Sequence, residues 1–215
     1  MVFSSLTFLF IFLPLCLVTY FLVPKKYVMP RKYILVMFSI AFYASGEPVY
    51  VFLVIISVSI TYLLSKYIEQ KNKPVFILSI ITILFPLGIF KYLNFIIDNI
   101  NTIFGVDLNN VSLIMPIGIS FYTFQILTYV IDLYRGQVKR QNNIGLLTLY
   151  IFFFPQLIAG PIIKYVDIES ALCSSNEDWN KIKDGTKLFL RGLAKKSYNC
   201  KPGRLYCISN NGCRF

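Results

Sequence analysis

The sequence predicts an all-α, polytopic transmembrane helical bundle in which one segment is broken or re-entrant. Three observations carry that expectation. Hydrophobic residues make up 56% of the 215 residues and charged residues only 14%, far from the composition of a soluble domain. Uncharged apolar runs recur at 6–23, 33–46, 48–65, 74–90, 111–131 and 141–163. Lysines and arginines gather between those runs rather than within them. A bilayer core about 30 Å thick needs roughly 20 helical residues, fewer where flanking residues snorkel or neighbouring helices help. Five or six membrane segments are therefore expected.

Taken in order, the run 6–23 resembles a signal peptide only in its apolarity. No Lys or Arg precedes Lys25, and no small-residue cleavage site follows the run, so it reads as a retained helix with its N-terminus outside. Lys25, Lys26, Arg31 and Lys32 come next, and Lys66, Lys71 and Lys73 follow the third run. By the positive-inside rule both loops face the cytoplasm, and the "GEP" turn between them lies outside. The stretch around Asp98 and Asp107 reads as an outer loop, and "DLYRGQVKR" returns the chain inside. The net charge of +11 is then mostly topology. A nucleic-acid partner would need a basic face on a soluble surface, which is missing here.

The run "PIGISFYTFQILTYVIDLYRG" (116–136) is almost long enough to cross a membrane, yet it is not uniformly apolar. Gln125, Thr128, Tyr129 and Asp132 fall at i, i+3, i+4 and i+7, with Tyr122 one turn earlier, and make one polar stripe. Such a stripe faces a bundle interior or a cavity, so Tyr122 and Gln125 are candidate cavity-lining residues. Asp132 and Arg135 lie one turn apart near the inner end, where an interfacial i, i+3 ion pair is expected.

The run 141–163 contains "FFFPQLIAGPII", with Pro155, Gly160 and Pro161 in its last third. Prolines interrupt the helical ladder, and in lipid the freed backbone groups need protein or a watery cavity. A full crossing would also place the basic excess of 164–196 outside. A broken or re-entrant helix is therefore expected; the alternative is a Pro-kinked span. Lys181–Lys196 reads as an amphipathic cytoplasmic helix.

The chain has no histidine. That removes Ser–His and Cys–His nucleophile pairs and the usual general base, and no P-loop, dinucleotide fingerprint or paired-carboxylate cluster is present. Cys200, Cys207 and Cys213 crowd the last residues, but three thiols without a histidine fall short of a zinc site. No metal ligand and no catalytic residue is predicted.

Several motifs in order, "MVFSS", "PIGISFYTFQ", "YVIDLYRG", "FFPQLIAGPI" and "RGLAKK", resemble the bacterial membrane-bound O-acyltransferases, in the branch of alginate O-acetylation proteins and polysaccharide O-acetyltransferases. The resemblance covers residues 1–196. It implies a ring of membrane helices around a central funnel in the bacterial inner membrane, where an acyl group passes from a cytoplasmic donor to an acceptor outside. It further implies acetyl-CoA or another acyl donor, a polysaccharide acceptor and envelope partner proteins. Ser120, Tyr122, Gln125, Gly160 and Pro161 carry over as candidates for the cavity wall. The family's catalytic histidine has no counterpart here, so the chain by itself is expected to be inactive. The alternative is a non-catalytic membrane binding or transport subunit.

After "GLAKK" the sequence becomes "SYNCKPGRLYCISNNGCRF", polar and without periodicity. One reading of 197–215 is a short disordered terminus. The other is a frameshift: codons AGT TAT AAT TGC AAA C, read one base later, give Val-Ile-Ile-Ala-Asn, an apolar continuation like that of the family. The expectation taken from this is a truncated product with a foreign tail.

Overall fold

The computed structural model describes residues 6–105, 109, 111, 115–157, 163–173 and 179–198. Every regular element among them is helical. In chain order these are α1 (Phe8–Leu22), α2 (Val28–Ala44), α3 (Tyr50–Glu69), α4 (Lys73–Phe104), α5 (Ile119–Arg135), α6 (Ile144–Phe152), the single turn α7 (Phe154–Leu157), α8 (Tyr165–Cys173) and α9 (Trp179–Tyr198). The chain forms two compact units, Met1–Ser174 with α1–α8 and Ser175–Phe215 with α9. Helix α9 continues through Ser197 and Tyr198; the rest of the expected foreign tail, 199–215, lies outside the described residues.

Helices α3 and α4 are long and apolar enough to cross a bilayer, with mean hydropathies of 2.0 and 2.1. Only 33% and 17% of their most apolar windows are buried. A core helix of a soluble protein hides its apolar side chains, whereas these present Phe52, Ile56, Ile81 and Phe85 outward, as a lipid-facing surface does. The fourth apolar run is longer in the structure than in the sequence pattern. The run 74–90 is only the first part of α4, which has 32 residues and is about 48 Å long at 1.5 Å per residue. Asp98 consequently sits in that helix rather than in an outer loop. Helix α1 has 15 residues, π-wound over Phe8–Phe12 just before Pro14, where the proline's missing N–H interrupts the ladder.

An aromatic cluster packs α1 against α2 and α7. The Phe12 ring meets Phe154 edge-on at 5.4 Å and Phe38 at 5.5 Å, and Phe8 meets Phe42 at 5.5 Å.

Arg31 and Lys32 are more than markers of topology. Both are buried in α2. The Arg31 Nε donates to the Val23 carbonyl at 2.8 Å, and its guanidinium lies 5.0 Å from the Tyr20 ring centroid. The Lys32 ammonium donates to the Leu172 carbonyl in the last turn of α8, where a cation complements the exposed carbonyls of a helix end.

Helix α5 is bounded by two left-handed glycines. Gly118 precedes it with φ 77°, and Gly136 follows it with φ 75°. At the C-terminal end Gly136 N–H donates to Leu133 O and Gln137 N–H to Asp132 O, at 3.1 and 3.0 Å, the paired bonds of a Schellman motif. At the start, a Cβ on Gly118 would stand 2.8 Å from the Leu157 carbonyl oxygen of α7. Gly118→Ala is thus expected to destabilise by about 1–3 kcal/mol from the backbone strain, with more from the clash. The thermal midpoint of the detergent-extracted protein checks this, using Gly88→Ala as the control: nothing lies within 4 Å of a Cβ there, and alanine favours a helix. Equal midpoints for the two variants would discard the constraint.

Candidate functional site

The polar stripe of α5 faces inward. Tyr122, Gln125, Tyr129 and Asp132 are all buried, while Phe121 and Phe124 are exposed. This is the reverse of a soluble amphipathic helix, and it is what a helix shows when its greasy side meets lipid and its polar side meets protein. Val130, which the periodicity assigns to the apolar side, is fully buried as well.

Gln125 and Thr128 tie the stripe to α6. Gln125 Nε2 donates to the Tyr150 carbonyl of α6 at 2.6 Å. Thr128 Oγ1 donates to Gln125 O at 2.8 Å and lies 3.5 Å from the Tyr150 hydroxyl. Tyr150 in turn donates to the Ile163 carbonyl at 3.0 Å. Buried carbonyls and amides left unmatched would cost more than these bonds gain.

The connector between α5 and α6 gathers hydroxyls from four helices. Gln141 N–H donates to the Tyr129 hydroxyl of α5, and Gln141 Nε2 to the Tyr165 hydroxyl of α8, at 3.1 and 3.0 Å. Tyr62 of α3 donates to Asn142 O at 2.8 Å, and Tyr33 of α2 to Asn143 Oδ1 at 3.1 Å. That same Asn143 oxygen accepts from Gly145 N–H at 2.9 Å and Leu146 N–H at 3.4 Å, capping α6. Arg140 reaches Ser65 Oγ at 3.0 Å and lies over the Tyr62 ring.

The expected break in 141–163 is present. Helix α6 stops at Phe152, Phe153 is extended, and α7 adds one turn. The N–H of Phe154 donates to Ser39 Oγ of α2 at 3.2 Å, so a side chain satisfies the interrupted backbone, as lipid demands. With 9 residues α6 is too short to cross a bilayer. At the start of α5, Tyr43 donates to the Ile117 carbonyl at 3.1 Å and Ile117 N–H to Glu47 Oε2 at 2.9 Å.

Of the predicted wall residues, Tyr122 and Gln125 are buried in the bundle, and Ser120, two residues before Tyr122, is half-buried. Gly160 and Pro161 lie outside the described residues. The expected Asp132–Arg135 ion pair is not formed. Asp132 points inward and is 7% exposed, whereas Arg135, the last residue before the left-handed Gly136, turns out to solvent. Sequence reasoning passed over Gln141, Tyr150, Tyr165, Lys32 and Ser39. The one available signal was Asn143 just before an apolar run, a capping position.

Three buried polar atoms lack a hydrogen-bond partner among the described residues: the Tyr122 hydroxyl, Asp132 Oδ2 and Gln156 Nε2. A phenol and a carboxamide can orient a hydroxyl or an acyl carbonyl, but neither readily takes a proton at neutral pH. No three His, Cys, Asp or Glu side chains among the described residues come together as a metal would require. An apolar groove of about 470 Å³ lies between α3 and α4 around Leu53, Ile56, Ile83 and Pro86, with no stripe residue in its lining.

Tyr150 and Tyr122 should respond differently to loss of their hydroxyls. Tyr150→Phe strips the Ile163 carbonyl of its donor and is expected to cost about 1–3 kcal/mol. Tyr122→Phe removes an unmatched group and is expected to leave the melting midpoint unchanged or raise it. The opposite ranking in detergent melts would mean that the network is not what fixes α6.

Comparison with known proteins gives the chain its relatives. It is 35% identical over 208 residues to the probable alginate O-acetylase AlgI of Azotobacter vinelandii, covering 92% of this chain and 41% of the relative. With the probable alginate O-acetylase AlgI of Pseudomonas aeruginosa it shares 32% identity over 212 residues, covering 92% and 39%. A peptidoglycan O-acetyltransferase of Helicobacter pylori is 29% identical over 231 residues, covering 91% and 44%. No family model matches the chain, and no solved structure matches it significantly. The chain spans about two fifths of the length of these curated relatives. Over that share of their length it resembles the bacterial membrane-bound O-acyltransferases of the alginate O-acetylation branch.

Proposed function

We propose that this chain supplies part of the membrane scaffold of an enzyme that transfers acetyl, or another acyl group, to hydroxyls of an exported or cell-surface polysaccharide. The observation that carries the reading is the similarity to alginate O-acetylases across 92% of the chain. The inward polar stripe of α5, held to a broken α6–α7 segment, supports it physically. Polar groups and interrupted backbone at membrane depth belong beside a protein interior or a watery path.

In such a transfer the acceptor hydroxyl attacks the acyl carbonyl, its proton passes to a base, and the donor's leaving group departs with the electron pair. A positioned base contributes roughly 10²–10⁴-fold in rate. With no histidine in the sequence, the base in this reading comes from outside these residues. The share of this chain is to hold the path, with Tyr122, Gln125 and Ser120 along its wall. The donor is acetyl-CoA or another cytoplasmic acyl donor, the acceptor a glycan on the outer side, and further envelope proteins take part. The enzyme sits in the bacterial inner membrane as a multi-pass protein with its N-terminus outside.

A chimera tests the catalytic reading. The matching segment of a Pseudomonas alginate O-acetylase is replaced by residues 1–196, and the acetyl content of the exported polymer is measured. The chimera is expected to restore acetylation to an acetylase-deficient strain, and the chain alone is not. A membrane-inserted chimera without activity would sink the reading in favour of a non-catalytic membrane subunit. Activity from the chain alone would sink the placement of the base. Orientation is checked separately by reporter fusions: alkaline phosphatase is expected to be active after Gly46 and inactive after Gln70, and the reverse pattern would invert the topology.

A further inference from the structure

Helix α9 is built to lie on a surface. At 100° per residue, Trp179, Ile182, Phe189, Leu190 and Leu193 fall within a sector of about 100°, and Phe189 and Leu190 are 45% and 59% exposed. The rest of the circumference carries Lys181, Lys183, Lys187, Arg191, Lys195 and Lys196, with Asp184 as the one acidic residue. Asp184 lies 3.6 Å from Lys187, but both side chains are well exposed, so the pair removes little of the positive field. Leu188 departs from the pattern, since it falls among the basic residues and is 72% exposed. The 20 residues would be long enough to cross a bilayer, but six cations forbid it.

We propose that α9 docks in the plane of the bilayer interface on anionic lipid headgroups. A surface of this kind satisfies both faces at once: the apolar sector enters the boundary of the acyl chains, and the lysines snorkel to the headgroups. A nucleic acid would engage the cations and leave the apolar sector in water. The occupant is close at hand, because α3 and α4 of the same chain have the length and composition of membrane spans. The proposal does not depend on the acyltransferase reading.

The whole chain carries its own probe, because Trp179 is its single tryptophan. The protein is placed in nanodiscs of phosphatidylcholine, with or without phosphatidylglycerol, and Trp179 emission and its quenching by bromine-labelled acyl chains are recorded. The expected result is a blue-shifted, quenched emission in anionic discs that reverts toward water-like emission in neutral discs and at high salt. Replacing Lys183, Lys187 and Arg191 by Gln is expected to weaken docking about five-fold per residue, while Phe189→Ser with Leu190→Ser removes quenching even in anionic discs. Emission that is the same in both disc types overturns the proposal: water-like emission would leave the helix in solution, and blue-shifted, unquenched emission would place it against protein. A shift produced in neutral discs only by an added oligonucleotide would assign the basic face to another polyanion and overturn it equally.

Discussion

The connector Gln141–Asn143 ties four helices of the described bundle together. Tyr33, Tyr62, Tyr129 and Tyr165 come from α2, α3, α5 and α8, and each ends on this short stretch of backbone and amide. Tyrosine suits the task. Its ring packs in an apolar interior while its hydroxyl reaches a polar partner at the edge. Asn143 then starts α6 with the same oxygen that receives Tyr33, so the cap of one helix and the tether of another depend on a single side chain.

From that connector α6 runs to the break, where the constraint is reversed. Between α6 and α7 it is backbone that needs partners, and side chains of other helices provide them. Ser39 receives the amide of Phe154, and Gln125 donates to the Tyr150 carbonyl that the broken ladder leaves over. Gly118 lets α5 approach the Leu157 carbonyl because it has no Cβ. In a bilayer, an inward polar stripe and an irregular segment of this kind would require each other. Either alone would leave polar groups facing lipid, at several kcal/mol for each unsatisfied group.

Gln125 and Thr128 are committed to structural bonds. The Tyr122 hydroxyl, Asp132 Oδ2 and Gln156 Nε2 are left without partners among the described residues. In the proposed enzyme such atoms can orient groups, and the proton is taken elsewhere.

The helical class, the apolar surface, the polar stripe of α5 and the interruption near Pro155 could all be read from the sequence. Each is a local matter of composition, a 3.6-residue period or a proline's missing donor. Apolar runs alone could not separate a span from a longer helix or a short buried one, so α4 absorbed the expected outer loop and α6 proved too short to cross. Nor did residue type reveal partners. Arg31 and Lys32 read as loop charges but are buried, because a carbonyl from α8 and an aromatic ring from α1 come to meet them. Asp132 and Arg135 have the right spacing for an ion pair, yet burial of one and the outward turn of the other at Gly136 separate them. Local pattern determined which faces were polar and where helices could not continue. Only the tertiary structure decided which distant backbone groups those faces satisfy, because a hydrogen bond between residues 25 to 140 positions apart leaves no periodic trace in the chain.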